Sequence, residues 1–359
     1  MVARVAFRVD SSVEIGAGHI MRCLTLAEAL RDCGAEVSFF CRLLPGDLCE
    51  LVVGRGFCLN VLSTLVFLDV DRFNQDKDAA ETQTFFSGHV DWMVVDHYGL
   101  DISWEAKVRK NGTKVLVVDD LANRRHECDL LLDQNFYLSS AGRYEGKVPQ
   151  YCRLLLGPKF ALLASSFREL AKVPRNRDGH VRRVLVFFGG GDPTRETEKF
   201  LEVVDSPEWS GVRFDVVVGG GNPLRYEIEA RCRKIGHVRY HCQTPYMAEL
   251  CWKADLAIGA GGSANWERCV LGLPALVIIT AENQRETTTD LFSFGAVKLI
   301  GEHSSVFCHD IRENLRWAVR HPFALASMGC SAKSVLTNEF NSAVFIAKLM
   351  LMDGFECAS

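Results

Sequence analysis

The feature that most constrains this chain is a rhythm running from end to end, in which short apolar runs alternate with amphipathic segments and turn residues. A short run of β-branched and aromatic residues without polar alternation fits a strand buried on both faces. The amphipathic segments between such runs fit the helices that cover those faces, so the chain reads as α/β with parallel sheets. Strands are predicted over residues 5–9, 37–41, 92–96 and 114–119, and a helix over 19–32, where Ile20, Cys23, Leu24, Ala27 and Leu30 share one face. Residues 62–86 carry no clear pattern and read as a surface insertion. The stretch 170–183, with Pro174, Gly179 and many charges, reads as a linker. Beyond it the rhythm restarts, with strands predicted over 184–188, 214–218, 255–258 and 274–280 and helices over 193–204, 223–235, 245–254, 263–271 and 282–294. A last helical pattern covers 333–352. The expected fold class is therefore α/β with two Rossmann-like domains facing a cleft. The expected divisions are 1–165, a linker 166–183, 184–332, and a C-terminal helix within 333–359 packing back on the first domain.

Composition narrows the function. The 359 residues suit two domains, and 41 basic against 45 acidic side chains, net −4, argue against general nucleic-acid binding. The apolar stretch 271–280 falls well short of the roughly 18 residues of a membrane span, and no signal-peptide pattern precedes the first strand. Of the 14 cysteines no two lie closer than eight residues, so there is no C-x-x-C spacing for zinc or redox chemistry. Most sit inside apolar patterns, where free cysteine behaves as a small hydrophobe. A cytoplasmic protein without disulfides is expected.

Four glycine clusters stand where strands hand over to helices: Gly16-Ala-Gly-His19, Gly189-Gly-Gly-Asp-Pro193, Gly219-Gly-Gly-Asn-Pro223 and Gly259-Ala-Gly-Gly-Ser263. Each alone reads as a tight turn. Together, at the carboxyl ends of strands, they favour a phosphate-bearing ligand held by backbone N–H groups. A nicotinamide or flavin cofactor is disfavoured. Met21 stands where the first cluster needs its third glycine, and the second strand ends in Cys41-Arg42 with no acid for a ribose. No Walker A motif is present. Glu267, one turn into the helix after Ser263, fits either a ribose-binding carboxylate or a first-turn acid. Asn283 and Gln284 fit either donors to a pyrophosphate or helix caps.

His19 is the first candidate for proton transfer, because it opens a helix, where the positive end favours a neutral ring; capping is the alternative. Asp10 ends the first strand. Asp96-His97-Tyr98 and Asp119-Asp120 end other strands and are expected to face the same cleft. The pair His237-x-x-x-His241 has metal-ligand spacing only superficially, since it falls in a strand-like stretch with no third ligand nearby.

Several segments carry a resemblance that the single residues do not. Phe7-Arg-Val-Asp-Ser-Ser12, followed by Ile15-Gly-Ala-Gly-His-Ile-Met-Arg-Cys-Leu-Thr-Leu-Ala27, resembles the start of the UDP-2,4-diacetamido-2,4,6-trideoxy-β-L-altropyranose hydrolases of pseudaminic acid biosynthesis. Val94-Val-Asp-His-Tyr98, Leu155-Leu-Gly-Pro-Lys-Phe-Ala-Leu-Leu163, Met247-Ala-Glu-Leu250, residues 254–262, Trp266-Glu-Arg268, Gly272-Leu-Pro274 and Asn283-Gln284 resemble later segments of that family, in order. The family is similar to the GT-B glycosyltransferases. The resemblance implies a GT-B-like fold and a UDP-linked diacetamido sugar as partner, with no metal and no further cofactor. It implies His19 as the catalytic histidine and Tyr98 in the sugar site, with Asp10, Gly16, Gly18, Arg22 and Asp96 around the substrate. UDP would be held by Gly190, Gly191, Tyr246, Met247, Gly261, Gly262, Ser263, Glu267, Asn283 and Gln284. Hydrolysis by a monomeric enzyme is the expectation. A GT-B glycosyltransferase and a nucleotide-sugar binding protein without turnover share every nucleotide-site residue and stay open.

Overall fold

The computed structural model describes residues 2–63, 74–86, 88–110, 112–336 and 340–352. Residues 64–73 of the predicted insertion lie outside the described residues, as do 337–339 and 353–359 of the C-terminal stretch. The rest is not a surface insertion: Gln75–Thr84 form a helix that buries Asp78, Ala79 and Thr82.

Two parallel sheets form, each in the Rossmann order. In the first, β1 (Arg4–Val9), β2 (Glu36–Arg42), β3 (Cys58–Leu62), β4 (Trp92–Asp96), β5 (Lys114–Val118), β6 (Leu130–Asp133) and β7 (Arg153–Leu156) lie in the order β3-β2-β1-β4-β5-β6-β7. In the second, β8 (Arg183–Phe187), β9 (Arg213–Val218), β10 (Val238–Cys242), β11 (Leu256–Ala260), β12 (Ala275–Ile279) and β13 (Lys298–Glu302) lie in the order β10-β9-β8-β11-β12-β13. Around the first sheet stand α1 (Gly18–Asp32), α2 (Cys49–Gly54), α3 (Gln75–Thr84) and α4 (Ile102–Arg109), and α5 (Ser165–Ala171) follows it. Around the second stand α6 (Glu196–Val204), α7 (Arg225–Cys232), α8 (Met247–Lys253), α9 (Ala264–Val270), α10 (Arg285–Ser293), α11 (Cys308–Arg320) and α12 (Pro322–Val335), and α13 (Ser342–Leu351) ends the described chain. Strand order reverses between β1 and β4 and again between β8 and β11. In open α/β sheets ligands bind beyond the carboxyl ends of the strands at such reversals, and the two reversals face each other here.

The central strands are apolar on both faces because helices cover both sides. Val5, Phe7 and Val9 of β1 point into the layer under α1, and Ala6 points to the opposite layer with Val95 and Trp104. Four strands escape the sequence pattern, β3, β6, β7 and β13, while the strand-like stretch around His237–His241 is β10. All stand at or next to a sheet edge; β3, β7 and β13 are partly exposed, and β6, though buried, has only four residues. The predicted last helix also differs. The chain breaks between α12 and α13, and Asn341 caps α13 through its side chain, which accepts from the Val344 N–H at 3.4 Å. Ala343, Ile346, Ala347 and Met350 of α13 join the core beneath α1, and Trp92 donates its indole N–H to the Met350 carbonyl at 2.6 Å.

In the predicted linker, Arg177 reaches the carbonyls of Cys251, Trp252, Ala254 and Leu271, so this stretch is pinned to the second sheet's helices. No helix among the described residues is long and apolar enough to cross a membrane.

Candidate active site

β1 and β4 are neighbours in register, Val9 opposite Asp96, so the loop leaving β1 passes directly over the end of β4. That loop turns at Gly16, whose φ of +85° suits only glycine without strain, and enters α1 with no side chain capping the helix. His19 is therefore in the first turn, and it is 7% exposed. Its Nδ1 lies 2.6 Å from Asp96 Oδ1. Arg22, one turn on, donates from Nε to Oδ2 and from Nη2 to Oδ1 of the same carboxylate, both at 2.6 Å. Arg22 Nη2 also lies 3.1 Å from Nδ1, but repulsion between an unprotonated nitrogen and a carboxylate oxygen at 2.6 Å is the larger effect, so the proton is assigned to Nδ1 and Nε2 is left to accept one. Burial opposes the charge on Asp96, but Arg22 and His19 more than offset it and hold the carboxyl well below the usual range.

Tyr98 meets the His19 ring edge-on, with centroids 4.8 Å apart. Its hydroxyl donates to Asp120 Oδ2 at 3.1 Å and accepts from Asn283 Nδ2 at 2.8 Å. Asn283 belongs to the second half of the chain, so this bond closes the cleft. Burial and the nearby Asp120 carboxylate push the Tyr98 phenol far above its ordinary value. The phenol thus keeps its proton, directs it to Asp120, and is held from both halves of the chain.

The glycine clusters meet across the cleft. A Cβ on Gly18 would stand 3.0 Å from Ser263 Oγ, one on Gly191 would stand 2.7 Å from the Val13 carbonyl oxygen, and one on Gly221 would stand 2.7 Å from the Gly46 carbonyl oxygen. A Cβ on Gly190 would meet Ala17 at 3.5 Å. These glycines therefore serve the close approach of the two halves. In the fourth cluster a Cβ on Gly261 would strike Thr288 Oγ1 at 2.1 Å. Gln284 Oε1 accepts from the N–H groups of Gly261 and Thr280, both at 3.1 Å. Its acceptor is thus spent on the turn, while its Nε2 lies 3.8 Å from where a Cβ on Gly262 would be.

Glu267, in α9, lines a small pocket with Phe187, Met247, Cys251 and Ala264. No hydrogen bond or ion pair to it is formed among the described residues. Burial pushes its carboxyl up to about 7, and neighbouring Arg268 only partly counters this. Tyr246 stands 64% exposed just before α8. A second closure seam runs along α10. Glu286 receives two bonds from Arg143 Nη1, at 2.9 and 2.8 Å, and Thr287 Oγ1 donates to the Phe136 carbonyl at 2.9 Å. One turn on, Asp290 accepts the Leu138 N–H at 2.9 Å.

Two residues expected around the substrate are engaged by the protein itself. Asp10 is 1% exposed and saturated. Its Oδ1 accepts from Arg8 and from the Arg42 N–H, both at 2.8 Å, and its Oδ2 accepts from Arg8 at 2.9 Å and lies 3.3 Å from His97 Nε2. It belongs to a buried ion cluster with Asp78, which also binds Arg8 and Arg42. Arg22 stays within the site: Nε and Nη2 bond Asp96, and Nη1 lies 3.9 Å from Asp120 Oδ2. The His237 and His241 pair has local partners: His241 bonds Asp215 at 2.9 Å and His237 the Val204 carbonyl at 2.9 Å. The sequence reading missed Arg143 and Tyr137, which lie in the loop between β6 and β7 where no periodicity marks a site.

No family model matches the chain. Among curated proteins it is 27% identical over 294 residues, 81% of this chain and 97% of the relative, to the UDP-2,4-diacetamido-2,4,6-trideoxy-beta-L-altropyranose hydrolase of Campylobacter jejuni. Among solved structures it superposes on LpCGTa in complex with UDP at a TM-score of 0.65, with 13% identity, covering 98% of this chain and all of that one. It superposes on MurG of Acinetobacter baumannii at 0.64, with 14% identity, covering 97% and 99%. Both likenesses establish the fold. The resemblance read from the sequence therefore holds: this is a two-domain α/β protein of GT-B architecture, similar along 81% of its length to a UDP-sugar hydrolase.

Proposed function

We propose that this protein hydrolyses UDP-2,4-diacetamido-2,4,6-trideoxy-β-L-altropyranose to UDP and free 2,4-diacetamido-2,4,6-trideoxy-L-altrose, a step of pseudaminic acid formation, by attack of water at the anomeric carbon with inversion. The observation that carries this reading is the His19–Asp96 pair at the uncapped start of α1, opposite Ser263. In the proposed step His19 Nε2 takes a proton from water as its oxygen bonds to the anomeric carbon. The bond from that carbon to the β-phosphate oxygen breaks, and its electron pair leaves with UDP. Asp96 stabilises the imidazolium, and general-base help of this kind is worth about 10²–10⁴-fold.

The first domain, 1–165, would carry the base and the sugar, and 184–332 would carry UDP. The charge on the departing diphosphate would fall to the first-turn amides of α1, the Gly262–Ser263 backbone and Gln284 Nε2. Glu267, half-buried and without a partner among the described residues, supports a ribose site, because two hydroxyl donors would satisfy it. Tyr246 and Met247 would flank the uracil. The reading gives a divalent cation no step, so chelation should leave turnover unchanged.

The test is to incubate purified protein with the UDP-sugar and no acceptor, following UDP and free sugar by NMR. Stoichiometric release of both, with the first-formed anomer inverted, is expected. Release only on addition of an acceptor would make the protein a transferase, and binding without release would make it a binding protein; either overturns the proposal.

A further inference from the structure

Asp120 follows β5 and is held from several sides. Its Oδ2 accepts the Tyr98 hydroxyl at 3.1 Å and lies 3.9 Å from Arg22 Nη1. Its backbone carbonyl accepts from Tyr137 at 3.0 Å and from Arg143 Nη2 at 2.8 Å. The residue is 9% exposed, and Oδ1 is shut off from solvent with no donor among the described residues. Leaving a buried carboxylate oxygen without a donor is costly. A rigidly held acceptor beside Tyr98, one residue removed from the His19 ring, is the arrangement expected where the donor arrives with a ligand.

We infer that Asp120 is a sugar-binding residue of this cleft: Oδ1 accepts a hydrogen bond from an N–H or O–H of the sugar, while Oδ2 holds Tyr98 in place. The inference rests on reading the cleft as a UDP-sugar site, and it does not depend on hydrolysis. A diacetamido sugar offers two amide N–H donors besides its hydroxyls. Because Oδ1 is covered in the closed form, the sugar reaches it when the two domains part.

The test uses the full-length protein with His19→Asn, so that substrate survives, and calorimetry with UDP-2,4-diacetamido-2,4,6-trideoxy-β-L-altropyranose and with UDP. Adding Asp120→Asn should weaken the UDP-sugar about 10–100-fold, as expected for a hydrogen bond to a charged group, and leave UDP within about twofold. Adding Tyr98→Phe instead should cost clearly less. Equal losses from Asp120→Asn and Tyr98→Phe would overturn the inference, since Asp120 would then act only by holding Tyr98. A parallel loss of UDP affinity, or equal affinity of the His19→Asn protein for UDP-sugar and UDP, would overturn it too. Should Asp120→Asn fold poorly by urea denaturation, Asp120→Ser reads the same comparison. If the binding pattern holds but the wild-type protein releases no sugar, hydrolysis fails and the Asp120 contact stands.

Discussion

Replacing Glu267 with Gln should stabilise the free protein and weaken its hold on UDP, and both effects can be sized. Burial raises this carboxyl from 4.5 to about 7. At about 1.4 kcal/mol for each tenfold change in proton affinity, ionising Glu267 costs the folded chain up to roughly 3 kcal/mol more than the unfolded chain. The carboxylate lines a pocket rather than sealed core, so about 1–2 kcal/mol is the working figure after solvent screening. The folded state holds the proton more tightly, so this cost is absent below pH 4.5, grows as pH rises toward 7, and is complete above it. Glu267→Gln should therefore gain about 1–2 kcal/mol in urea unfolding at pH 8 and nothing at pH 4. Losing a charged acceptor for the ribose hydroxyls should weaken UDP about tenfold or more by calorimetry at pH 8. In the wild-type protein UDP affinity should fall as pH drops below 7. A Gln variant less stable at pH 8, or one that binds UDP as tightly as wild type, would refute the assignment of Glu267 as an unpaired acid kept for a ligand.

Three further outcomes are expected. His19→Ala should lower turnover by about 10²–10⁴-fold while leaving UDP affinity nearly unchanged, measured by UDP release and calorimetry; equal turnover would remove His19 from the chemistry. Asp96→Asn keeps the shape but strands the Arg22 charge in a buried site, so denaturant unfolding should show a loss of about 3–5 kcal/mol. Turnover should fall at least about 100-fold as the His19 tautomer is lost. Ile346→Ala, at a fully buried position where α13 packs beneath α1, should cost about 2–4 kcal/mol by the same assay.

The central strands were legible because helices cover both of their faces and leave uninterrupted apolar runs. Residues 92–96 and 214–218 coincide with β4 and end where β9 ends. β6, with four residues, and β13, partly exposed throughout, offer too little contrast. The helix predicted over 193–204 begins only at Glu196, because the Asp192 side chain accepts the Glu196 and Thr197 N–H groups and delays the first turn. Within the site, the turn positions Gly16 and Gly18, the ring of His19 and the strand-end Asp96 could be placed from motif and topology together. The partner of each could not. That Arg22 would serve Asp96, or that Asp10 would be consumed by Arg8, depends on which strands are neighbours and which side chains share a layer. The glycine clusters were open between ligand cradle and tight turn, and the structure adds a third use, contact between the two domains.

The most direct test of the central claim is hydrolysis in ¹⁸O-water without acceptor, with both products followed by mass spectrometry at early times. The account predicts label on the anomeric oxygen of the free sugar and none in UDP, because His19 Nε2 directs water to carbon. Label in UDP would place the attack at phosphorus and contradict the account.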